Sequence, residues 1–167
     1  EDNGKYYYDW DISGLTEGKY KLKAEIEKGE DSNSDISIKE LQIDRTKPQI
    51  NSFNLKLEDA NGQDYNSENW TDKDIYIQVE AADNEEGAGI NKVLVLKEGE
   101  EIKELEENNG KYTGTISIEG DYNIKIKVCD EAGNSEESEE KEIKIDKAPP
   151  VYSLKAHAEN LNGEEYT

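Results

Sequence analysis

The chain has 167 residues, 32% hydrophobic and 37% charged, and its 41 acids against 20 bases leave a formal net charge of −21. That excess excludes a nucleic-acid or anionic-lipid surface, since both need a basic patch to neutralise phosphate. It fits a chain that resists self-association or collects cations.

Chain order begins with a partial unit. Residues 1–46 carry "NGKY" from Asn3, "EGKYKLKAEI" from Glu17 and "LQID" from Leu41, then run into "IDRTKPQI" from Ile43. In residues 47–147 apolar residues alternate with period two, the mark of half-buried strands. "DIYIQVEA" puts Ile75, Ile77, Val79 and Ala81 on one face, and "YNIKIKV" does the same for Tyr122, Ile124, Ile126 and Val128. "TISI" and "EIKI" read likewise. "VLVL", Val93 to Leu96, is apolar on both phases, as in a central strand covered on both sides. Turn chemistry separates these runs: "ANGQ", "KEGEE", "ENNGK", "EGDY" and "AGNS" supply the Gly and Asn that positive φ angles demand. No helical spacing of apolar residues stands out.

Residues 148–167 start the pattern again. Asp44 and Asp146 lie 102 residues apart, inside the rhyming phrases "IDRTKPQI" and "IDKAPPVY". Upstream of each, "EGKYKLKAEI" matches "EGDYNIKIKV"; downstream, "LEDANGQDYN" matches "AENLNGEEYT". The repeat is roughly 100 residues long, the size of a sandwich domain. The expected fold is all-β: immunoglobulin-like β-sandwich repeats in tandem, about seven antiparallel strands per unit. Residues 1–46 read as the C-terminal half of one repeat, 47–147 as a complete repeat, and 148–167 as the start of a third. All three prolines (Pro48, Pro149 and Pro150) fall in the rhyming phrases. Proline cannot donate to a sheet ladder, so it collects where pairing stops and stiffens the step between units. Methionine is absent, position 1 included, and the chain reads as processed or as a segment of something longer.

Four phrases give this chain a resemblance to the bacterial immunoglobulin-like (Big-type) repeats of large Gram-positive surface proteins and adhesins. They are "YNSENWTDKDIYIQV", "ADNEEGAGINKVLV", "GDYNIKIKVCDEAGNS" and the junctions "IDRTKP" and "IDKAPP". Ala88 stands where those repeats carry a serine, and in the first unit the Asp-x-Ala-Gly-Asn turn has become "KGEDSN". The resemblance implies an extracellular bacterial location and a stalk, spacer or adhesive array; by itself it implies no chemistry.

Catalytic signals are missing. There is one histidine, His157, and one cysteine, Cys129, on the polar phase of its strand. A lone cysteine excludes an intrachain disulfide, and no nucleophile elbow, phosphate loop or zinc spacing is present. No apolar run is long enough to cross a membrane. The chain is expected to be a non-catalytic structural module whose partners are neighbouring repeats.

Metal binding is the sharper question. In an immunoglobulin-like sandwich the loops after the second strand and before the last lie at the pole that the incoming linker reaches. Here they carry Asp83, Asn84, Glu85, Glu86, Asp130, Glu131 and Asn134, and the linker brings Asp44. Asp44, Asp83, Glu85, Asp130 and Asn134 would pool oxygens for an interdomain calcium, a hard cation that takes oxygen ligands at flexible geometry. Against it stands the plain reading that Asp83 and Asp130 cap their own turns. The absence of a recognised calcium loop favours that plain reading.

Two rival roles remain. Exposed aromatics, above all Tyr6 to Tyr8, would let the chain bind a glycan or host protein as an adhesin, although Trp10 and Trp70 are expected to plug sandwich cores and Tyr20, Tyr112 and Tyr122 to point inward. Strand donation between chains, tail to head, would instead build a filament.

Overall fold

The computed structural model describes residues 7–26, 35–154, 158–159 and 165–166; for 24–26, 35–37 and the residues after 154 it describes the backbone alone. His157, Tyr6, "NGKY" at Asn3 and "KGEDSN" lie outside the described residues, as does most of "AENLNGEEYT". Among the described residues every regular element is a strand.

The first two strands, β1 (Gly18–Ile26) and β2 (Asp35–Ile43), form an antiparallel pair of their own, in register from Gly18↔Ile43 to Ile26↔Asp35. A five-residue linker from Asp44 to Pro48 then leads into a two-layered body. One layer holds β3 (Gln49–Leu57), β4 (Ile75–Ala82), β7 (Glu106–Asn108) and β8 (Lys111–Ile116), in the order β3-β4-β8-β7. The other holds β5 (Ile90–Lys97), β6 (Glu100–Glu104), β9 (Gly120–Asp130), β10 (Ser135–Glu137) and β11 (Lys141–Ile145). There β6 pairs β5, β5 pairs β9, and both β10 and β11 pair β9 along successive stretches. All these ladders are antiparallel. This is an immunoglobulin-like β-sandwich. Beyond it, β12 (Ala158–Glu159) pairs β13 (Glu165–Tyr166).

Period-two alternation becomes the core directly. Ile75, Ile77 and Val79 of β4 face Val93 and Val95 of β5, Ile124, Ile126 and Val128 of β9, and Ile143 and Ile145 of β11, all within one buried cluster. Phe53, Leu55, Leu105 and Ile116 close its rim. Burying each such aliphatic side chain contributes roughly 1.5–3 kcal/mol, and β-branched residues suit the pleated surface. Leu94 and Leu96 point to the outer face yet are also buried, as the both-phase pattern requires. Their cross-strand neighbours are Lys127 and Lys125, whose long apolar stems can shield the leucines while the ammonium groups stay in water.

The loop between β3 and β4 crosses from one layer to the other. The Thr71 N–H donates to the Lys144 carbonyl (3.0 Å), and the Asp146 N–H donates to the Thr71 carbonyl (2.9 Å), a parallel bridge onto β11. Nearby, the Lys144 N–H donates to the Tyr65 hydroxyl at 2.8 Å. Trp70, expected to plug the core from this loop, is instead 56% exposed. The aliphatic side chains of the two sheets already fill the space, and the loop is anchored by its backbone and Tyr65. Trp10, at 46% exposed, fills no core either.

Tyr122 meets its expectation. Its ring is buried and its hydroxyl donates to the Ile118 carbonyl at 2.8 Å. Burial, with a smaller contribution from Tyr65, raises its pKa to about 12. Tyr112 packs half-buried against the same core.

Candidate metal centre at the junction

Three aspartates meet where β2 hands over to the sandwich. Asp44 opens the linker, Asp83 follows β4, and Asp130 ends β9. One carboxylate oxygen from each lies within 4.8 Å of the others. Asp130 is 1% exposed and Asp44 9%.

The backbone dictates each placement. Asp44 Oδ1 accepts the Thr46 N–H (3.0 Å), which turns the linker, and Oδ2 accepts the Ala88 N–H of the β4–β5 loop (2.8 Å). Asp83 Oδ1 accepts the Asn84 N–H (3.0 Å) and Oδ2 the Gly89 N–H (2.7 Å). Asp130 Oδ1 accepts the Asn134 N–H, and Oδ2 the Asn134 side-chain amide, both at 2.8 Å. All six carboxylate oxygens therefore accept a hydrogen bond from the protein. Gly87 is required for space: a Cβ there would sit 2.3 Å from Asp83 Oδ2. Gly89 is required for conformation, with φ at +93°.

Hydrogen bonds satisfy the oxygens but leave the charge uncompensated. Among the described residues no ion pair reaches Asp44, Asp83 or Asp130. Two like charges no more than 4.8 Å apart repel by at least about 1 kcal/mol in water and about 3–4 kcal/mol at an effective dielectric of ~20. A hard divalent cation would relieve that repulsion, and carboxylates are its natural ligands.

The five residues expected to pool oxygens divide into three groups. Asp44, Asp83 and Asp130 come together. Glu85 is exposed and lies outside the trio. Asn134 is at the site but turns its amide nitrogen inward, donating to Asp130 and, at 3.3 Å, to the Asp44 carbonyl. It braces the carboxylates where an oxygen ligand was anticipated, because a carboxylate neighbour selects the N–H side of the amide. Gln42 was missed altogether: its side-chain amide donates to the Gly87 carbonyl (2.6 Å) and the Glu86 carbonyl (3.3 Å). An exposed glutamine at a strand end gives no sequence signal.

The family model described as "Chitinase A, N-terminal domain" matches residues 43–157. The chain belongs to that family. The match begins at Ile43 and takes in Asp44 and the whole sandwich. Among solved structures, the fibronectin(III)-like modules of Clostridium thermocellum CbhA are similar at 18% identity and a TM-score of 0.46, over 85% of this chain and 70% of that one. No curated protein matches. The family's membership supports an immunoglobulin-like module; it does not single out the repeats of Gram-positive surface proteins.

Proposed function

We propose that the chain is a non-catalytic spacer from an extracellular bacterial surface protein, stalk or filament, in which immunoglobulin-like units follow in series. Residues 1–46 are the back half of one unit, 47–147 a whole unit, and 148–167 the start of a third. The observation that carries this reading is the bonded junction. Gln42, Asp44 and Asn134 tie β2 and its linker to the β4–β5 and β9–β10 loops, and Pro48 is buried within it. A junction bonded through both partners holds an angle, as a spacer must. Small-angle X-ray scattering tests this: Asp44→Ala should enlarge the maximum dimension or broaden its distribution. An unchanged profile removes the rigid spacer.

Calcium belongs to this proposal as the ion that Asp44, Asp83 and Asp130 would share. Thermal unfolding in excess calcium and in chelator should then differ, with the higher midpoint in calcium. Equal midpoints remove the ion and leave the hydrogen-bonded turns to do the holding.

A second reading is a glycan- or host-binding adhesin domain. The family is named for a chitinase, and Trp70, Tyr7 and Tyr8 are exposed aromatic faces on which a sugar ring can stack. Retention on insoluble chitin that is lost in Trp70→Ala would favour it; no retention there and no hits on a glycan array would remove it.

Filament growth by strand donation draws less support. By the repeat, β1 and β2 correspond to β9 and β11, and the tail corresponds to β3. Neither end supplies counterparts of β4 or β5, so head and tail together do not close a sandwich. A monomer at every concentration in gel filtration removes strand donation.

A further inference from the structure

The two linkers of the chain are built alike but covered differently. Gly18 and Gly120 open their strands at φ of +134° and +131°. The Tyr20 hydroxyl donates to the Thr16 carbonyl and the Tyr122 hydroxyl to the Ile118 carbonyl, both at 2.8 Å. Glu17 Oε1 accepts the Arg45 N–H at 2.7 Å; Glu119 Oε1 accepts the Lys147 N–H at 3.3 Å. Asp44 Oδ1 accepts the Thr46 N–H and Asp146 Oδ1 the Ala148 N–H, both at 3.0 Å. Every member of one set lies 102 residues from its counterpart.

The difference lies in the second aspartate oxygen. Asp44 Oδ2 accepts the Ala88 N–H and its residue is buried against the sandwich. Asp146 is exposed, and among the described residues no hydrogen bond reaches its Oδ2. Lys144, the counterpart of Gln42, also carries a side-chain donor, one N–H of which goes to Glu142 Oε2 at 2.9 Å.

Just past this pole the chain carries Val151 and Leu154, 100% and 89% exposed. Their spacing of three repeats that of Ile50 and Phe53, which straddle the bulge of β3. These are the residues with which a further sandwich would begin.

We propose that the Asp146 pole is a docking surface for one further immunoglobulin-like unit, the one that residues 148–167 begin. Asp146 Oδ2 accepts a backbone N–H from that unit's loop of the β4–β5 kind, as Asp44 does from Ala88. The Lys144 ammonium, which spends one N–H on Glu142, offers its other N–H groups to that loop's carbonyls. The inference rests on the serial-unit reading and adds to it a specific contact at the Asp146 end of the whole unit.

The test extends the full chain after Thr167 with a copy of residues 67–147, which provides the strands that follow the β3-like segment. Amide hydrogen exchange then reads the copied Ala88. Its N–H is expected to be protected as the original is, and Asp146→Asn should speed its exchange by about tenfold or more. Asparagine keeps one oxygen for the Ala148 N–H but cannot accept a second N–H through its NH2 group. The copied Ile77 and Val79 amides should not change. Equal exchange of the copied Ala88 in parent and variant, with the copied core protected, overturns the docking contact alone. An unprotected copied core overturns the docking and the serial-unit reading together.

Discussion

The β1–β2 pair and the β9–β11 pair share one plan, and they part company only in what covers them. Gly18↔Ile43 and Tyr20↔Leu41 in the first become Gly120↔Ile145 and Tyr122↔Ile143 in the second. Both keep the tyrosine-to-carbonyl bond and the aspartate turn. Tyr122 and Ile124 are nonetheless buried, while Tyr20 and Leu22 are only half-buried. A facing sheet makes the difference: β9 packs against β3, β4 and β8, and β1 has no second layer among the described residues. Local hydrogen bonds thus form wherever the phrase occurs, whereas burial depends on what lies opposite.

The strongest way to break this comparison is in the core. Ile126→Ala should destabilise the sandwich by about 3–4 kcal/mol through lost burial and a residual cavity. Leu22→Ala should cost less than about 1 kcal/mol. Urea unfolding measures both, and equal losses would mean that β1 shares a common core with the sandwich.

Next in size is the contact between the two regions. Gly87→Ala drives a methyl into the Asp83 carboxylate and should cost about 1–3 kcal/mol. The accompanying sign is faster cleavage of the linker after Arg45 by trypsin. Cleavage at the parental rate would show that the loop yields without loosening the junction.

The twin tyrosines sharpen the comparison further. Tyr122→Phe removes one buried hydroxyl bond and should cost about 1 kcal/mol, with Tyr20→Phe costing less. Because burial raises the Tyr122 pKa to about 12, the unfolded phenol ionises first, near its ordinary value of about 10. The contribution of Tyr122 is therefore complete below about pH 10 and is lost as pH rises toward 12. Urea titrations across that window should show a smaller decline for Tyr122→Phe than for the parent. Parallel declines would remove the linkage. Trp70→Ala should have the smallest effect, within about 0.5 kcal/mol, since its ring is mostly in water; a loss of core size would return it to the interior.

Much of this was legible in the residues. Strict alternation at Ile75, Ile77 and Val79, and at Ile124, Ile126 and Val128, could bury one face of a strand and nothing else, so both sheets could be read directly. The 102-residue echo announced the shared plan of the two linkers. Asp44, Asp83 and Asp130 could be grouped because each sits beside a turn at a strand end, and strand ends of one sandwich collect at its poles. Trp70 misled because size and apolarity do not reveal whether a loop residue points inward. The role of Asn134 depended on which end of its amide met a carboxylate, and Gln42 on a carbonyl more than forty residues away.

The sequence by itself determined the strands, their inward faces, the turns and the echo between linkers, because alternation and turn chemistry act within a few residues of the chain. Only the tertiary structure decided that three aspartates share one small volume, that Tyr65 rather than Trp70 anchors its loop, and that Asp44 is covered while Asp146 stands open. Those outcomes turn on distances between segments far apart in the chain, and packing sets such distances with no trace in local pattern.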